Sequence, residues 1–125
     1  MFKCVITIFL LGGLAASAAT PSERELGPHQ KVTGVYRVYG GDLGDPVAPG
    51  PKDAKIMVSV DGKMAKEMFE AIGPDVRDVC TEGTATRVRH KRNHNVFCMR
   101  SGSGEYSCNF GFDLRDGKSI PGIVC

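Results

Sequence analysis

The chain has 125 residues, with 16 Lys and Arg against 14 Asp and Glu, a formal net charge of +2, five cysteines and no tryptophan. Charges that nearly cancel exclude a bulk electrostatic case for nucleic acid or a membrane surface. The length suits one small domain, which on its own buries only about two thirds of its unfolded surface, so cross-links would help it.

The chain opens with Met1-Phe2-Lys3, then an apolar run from Cys4 to Leu14, then Ala15-Ala16-Ser17-Ala18-Ala19. A basic start, a short apolar run and small residues read as a secretory signal peptide over 1–19, cleaved after Ala18 or Ala19. The run is too short for a transmembrane anchor, and no later apolar run could span a bilayer. Cys4 lies far from the cleavage site and is a poor candidate for lipid attachment. The expected product is soluble, and periplasmic or secreted. It keeps Cys80, Cys98, Cys108 and Cys125. An even cysteine set in an exported small domain reads as two disulfides, and the spacings are not those of a zinc site. Residues 20–30 are polar and aperiodic, a mobile N-terminal arm. Residues 31–125 form the expected single α+β domain.

Lys31 to Tyr39, rich in Val and Tyr, reads as a strand weakened by Gly34. Gly40 to Asp53, crowded with Gly and Pro, reads as a long exposed loop. Its Asp42, Asp45 and Asp53 lack the spacing of a calcium loop and are read as turn residues. Ala54 to Val60 alternates and is a strand. Asp61 is placed to cap a helix, in which Met64, Ala65, Met68, Phe69, Ala71 and Ile72 recur at helical spacing. Gly73-Pro74 stops it. The helix should cover the apolar face of a sheet.

Asp75 to Gly83 is a connection. Thr84 to Arg92 alternates, with Thr84, Thr86, Val88 and His90 on one side and Ala85, Arg87, Arg89 and Lys91 on the other. Asn93-His94-Asn95 is a turn. Val96 to Arg100 is a strand, Ser101-Gly102-Ser103-Gly104 a hairpin loop, and Tyr106, Cys108, Phe110, Phe112 and Leu114 alternate along the next strand. Asp116-Gly117 favours a two-residue hairpin turn with Arg115 facing Lys118. Counting outward from that turn, Phe110 faces Ile123 and Cys108 faces Cys125, which leaves Cys80 for Cys98. The expected pairing is therefore Cys80–Cys98 with Cys108–Cys125. The rival, Cys98–Cys108 with Cys80–Cys125, follows from a three-residue Gly102-Ser103-Gly104 loop.

No catalytic or cofactor motif survives inspection. Gly111 to Ser119 has five residues between its glycines where a phosphate loop has four, and Ser119-Ile120-Pro121-Gly122 starts a helix poorly. The glycines around Ser103 sit wrongly for a nucleophile elbow. His90 and His94 are four apart, but on a strand and turn rather than a helix. No cofactor and no metal are expected. The one dense charge cluster is Arg87, Arg89, Lys91 and Arg92. On a strand the first three would project at about 7 Å steps as an exposed basic ladder. That is either a solvated edge or a surface for an acidic protein or another anionic envelope partner. No aromatic residues interleave it, so nucleic acid is not expected. The sequence carries no signal of oligomeric state.

The helix Ala65-Lys66-Glu67-Met68-Phe69-Glu70-Ala71-Ile72, the spaced cysteines and the strand Tyr106-Ser107-Cys108-Asn109-Phe110 together resemble small uncharacterised exported proteobacterial proteins. The resemblance implies export and a small α+β domain, and brings no activity or site residues. The expected fold is an antiparallel sheet, mainly a C-terminal β-meander, with one helix on one face and two disulfides. The expected function is non-enzymatic: an exported binding module, an inhibitor or immunity-type protein docking on another protein. The alternatives are a small periplasmic hydrolase with a spatially assembled site, and a structural envelope component.

Overall fold

Alternating apolar and polar residues build an antiparallel sheet, and one amphipathic helix covers part of it. The computed structural model describes residues 12–15 and 26–125. The expected signal peptide and the first half of the expected arm lie outside the described residues, save 12–15. Residues 26–33 are exposed and form neither helix nor strand.

The strands are β1 (Gly34–Asp42), β2 (Asp45–Val47), β3 (Lys55–Asp61), β4 (Arg87–Lys91), β5 (Val96–Arg100), β6 (Tyr106–Asp113) and β7 (Ser119–Ile120); the helix α1 spans Gly62–Ala71 between β3 and β4. The sheet order is β2-β1-β3-β6-β5-β4, with β7 also on β6, and every pairing is antiparallel. β4, β5 and β6 are the expected meander. β7 pairs with Gly111 and Phe112, beyond the end of β5, and so continues the line of β5 along the same side of β6.

Residues paired across an antiparallel ladder share a face. The rows Val60–Cys108–Cys98 and Val58–Phe110–Val96 therefore lie on one side of the sheet. Ala65 and Phe69 of α1 sit on that side, and Val60, Ala65, Phe69, Cys98 and Cys108 form a fully enclosed cluster. Each fully buried large side chain stabilises the fold by roughly 1.5–3 kcal/mol. α1 packs mainly on β6, with lesser contact to β3 and β5.

Several boundaries move. The expected loop at Gly40–Asp53 contains the end of β1, a turn at Leu43-Gly44 and the edge strand β2. Pro46 is tolerated there because an edge strand can leave its nitrogen unpaired. The loop is pinned by the Asp53 carboxylate, which accepts from the Gly41 N–H at 2.7 Å and pairs with Lys55. Asp61 precedes α1 but makes no side-chain capping bond. Thr84 to Thr86 lie outside β4.

The disulfides are Cys98–Cys108 and Cys80–Cys125, with Cα–Cα distances of 4.0 and 5.9 Å. This overturns the expected Cys80–Cys98 and Cys108–Cys125 pairing in favour of its rival. Two registers explain it. Ser101 N–H donates to the Glu105 carbonyl at 2.8 Å, closing a three-residue loop. Counting back from that bonded pair, Cys98 and Cys108 face each other at a non-hydrogen-bonded position, where antiparallel strands approach most closely.

The second register belongs to the hairpin after β6. A two-residue turn would set Arg115 opposite Lys118. Instead Asp113 N–H donates to the Lys118 carbonyl at 2.9 Å, so the turn spans residues 114–117. The register is therefore shifted by two, and Cys108 and Cys125 do not meet. β7 is short, and after Pro121 the chain leaves the ladder. Gly122 then lies directly on the Phe110 backbone, where a side chain would not fit. The tail lies on the face opposite α1, beside Phe97 and Met99, and carries Cys125 to Cys80.

Candidate protein-docking surface

The basic cluster is not the exposed, unpaired ladder that its alternation suggests. Val88 is buried, as expected, and Arg87, Arg89 and Lys91 do share the other face. That face is the one α1 covers, and Asp75, just past the helix, supplies an acid. Arg87 Nε and Arg89 Nε each donate to the Asp75 carboxylate at 2.7 Å. Arg89 also donates to the Phe69 carbonyl at 2.8 Å, and its guanidinium sits 4.2 Å from the Phe69 ring centroid. Its side chain is only 17% exposed, against 43% for Arg87. The two guanidinium groups hold the Asp75 carboxyl down at about 2, with Arg87 the larger cause. The pair thus fastens the connection after α1 to β4. Lys91 and Arg92 remain exposed. Parity along the strand showed which residues share a face, but it could not show that Asp75, twelve residues before Arg87, returns to neutralise them.

The β4–β5 turn holds Arg92, Asn93 and His94 at φ of 53°, 53° and 73°. Three successive left-handed residues that are not glycine store strain, and strained turns cluster at functional sites. This one sets His94 4.3 Å from His90 and 5.7 Å from Phe97, ring centre to ring centre. Burial lowers the His90 pKa, and the neighbouring His94 lowers it further. Beside them opens a cavity of about 460 Å³, walled by Phe97, Met99, Ile123 and the Cys80–Cys125 bridge, with Asp78 and His94 among its polar groups. Asp78 already accepts from the Thr81 hydroxyl at 3.1 Å. Among the described residues no three His, Cys, Asp or Glu side chains gather as metal ligands, and no helix is long and apolar enough to cross a membrane.

The two long edges of the sheet differ. At β4 the connection after α1 lies alongside, and Val76 N–H donates to the Val88 carbonyl at 2.8 Å. The β1 edge is more open. β2 pairs only with Gly40, Gly41 and Asp42, so among the described residues the stretch Gly34–Tyr39 has β3 on one side and no strand on the other. Val35 and Tyr36 are 70% and 72% exposed, and Val38 is 39% exposed. Phe112, on the same face as Val38 through the row Val38–Ile56–Phe112, is exposed as well. α1 packs chiefly on β6, away from this edge. Arg37 has no acidic partner among the described residues. The Val and Tyr content of this strand was legible in the sequence; its place at an open edge was not.

These features define an α+β domain with two disulfides, a covered core and, among the described residues, an uncovered edge along Gly34–Tyr39. Comparison with family models, curated proteins and solved structures finds no match to this chain.

Proposed function

We propose that the protein is an exported, disulfide-stabilised binding module that docks on another protein through the β1 margin. The observation that carries this is the edge at Gly34–Tyr39, open among the described residues, with Val35, Tyr36 and Val38 exposed beside it. Folded proteins ordinarily blunt or cover such an edge, because it invites pairing with another chain. Two disulfides suit an oxidising compartment, which supports export. The test is site-specific photo-crosslinking in intact cells. A crosslinker at Tyr36 should capture one discrete envelope protein, and a crosslinker at Arg92, beyond the opposite edge strand β4, should not. Capture at position 92 with none at 36 would return the function to the basic cluster.

A further inference from the structure

We infer that the β1 edge receives an extended segment of its partner as an added strand, and that this segment alternates apolar and acidic residues. The inference rests on the docking reading above and specifies the chemistry of the partner.

The backbone comes first. Asp61 N–H donates to the Thr33 carbonyl at 2.9 Å, so Thr33 and Asp61 form a hydrogen-bonded pair. In an antiparallel ladder bonded and non-bonded pairs alternate. Continuing the register, Val35, Arg37 and Tyr39 exchange bonds with Ser59, Met57 and Lys55. Gly34, Tyr36 and Val38 therefore direct their N–H and C=O groups outward, to the side where no described strand lies. Such a row is the template that strand addition uses, with the backbone giving affinity and alternate side chains giving specificity.

The side chains set the chemistry. Tyr36 and Val38 lie on the α1 side of the sheet and offer an apolar surface. Arg37 lies on the reverse side and lacks an acidic partner among the described residues. An incoming strand fits best with apolar residues on the first side and an acid on the second. A second copy of β1 fits poorly. Lys31 to Tyr39 contains no acid, so self-pairing leaves Arg37 unmatched.

The test uses the oxidised full-length exported chain and two acetylated, amidated peptides, one alternating valine with glutamate and one alternating valine with lysine. The glutamate peptide should bind about fivefold more tightly, the upper range for one cross-strand charge pair. It should protect the amides of Gly34, Tyr36 and Val38 from exchange. Tyr36→Pro removes an outward N–H that β3 does not use, so it should keep the fold and weaken binding at least tenfold. Arg37→Glu should reverse the peptide preference and keeps the test decisive if the proline variant misfolds. Equal binding of both peptides, protection elsewhere, or reversal failing in Arg37→Glu overturns the inference. If crosslinking at Tyr36 persists while the peptides fail, docking stands and strand addition falls; loss of both removes both.

Discussion

Replacing Cys80 and Cys125 together with alanine should destabilise the protein more than their exposed position suggests. The bridge joins residues 45 apart in sequence, whereas Cys98 and Cys108 are 10 apart. Loop-closure entropy in the unfolded chain then makes the longer bridge worth about 4 kcal/mol and the shorter about 3 kcal/mol. Native domains of this size are stable by about 5–15 kcal/mol, so a loss on the order of 4 kcal/mol is a large share. Access to reductant runs the other way. Cys98 and Cys108 are wholly buried beneath α1, and Cys80 and Cys125 are exposed. Mild reduction followed by alkylation and peptide mapping should label Cys80 and Cys125 first. Urea unfolding of the oxidised wild type and the double variant gives the energy. A loss under about 1 kcal/mol, well below the usual range for a native bridge, or earlier labelling of Cys98 and Cys108, would refute the reasoning.

Phe69→Ala should cost about 3–5 kcal/mol in urea unfolding, because it empties the centre of the core and removes the ring beneath Arg89. Asp75 should titrate at about 2 by carboxyl NMR rather than at its ordinary 3.8. A carboxyl lowered on folding stabilises above its unfolded pKa and loses that contribution as pH falls through the folded value, so Asp75→Asn should remove a stability change between about pH 4 and pH 2. Gly122→Ala should cost about 1–3 kcal/mol, since a methyl there meets the Phe110 backbone. Export predicts an intact mass, for protein recovered from periplasm or medium, that starts at Ala19 or Thr20; a mass still including Phe2 to Leu14 would contradict it.

Local pattern determined much of this fold. Alternation at Ala54–Val60 and Tyr106–Leu114 marked the central strands, and helical spacing from Met64 to Ile72 marked the face that α1 buries, because each period follows from backbone geometry alone. The hairpin at Ser101–Gly104 was legible for the same reason, and its arithmetic contained the Cys98–Cys108 pair. What the tertiary structure decided were relations between distant segments. The return of Asp75 to Arg87 and Arg89 turned an expected ladder into an anchored pair. The four-residue turn before β7 shifted the register by two and left Cys125 to reach Cys80 instead of Cys108. Among the described residues the flank of β1 is open because β2 is short and α1 lies over another part of the sheet. No local period encodes which neighbour a strand lacks, since that depends on where every other strand has gone.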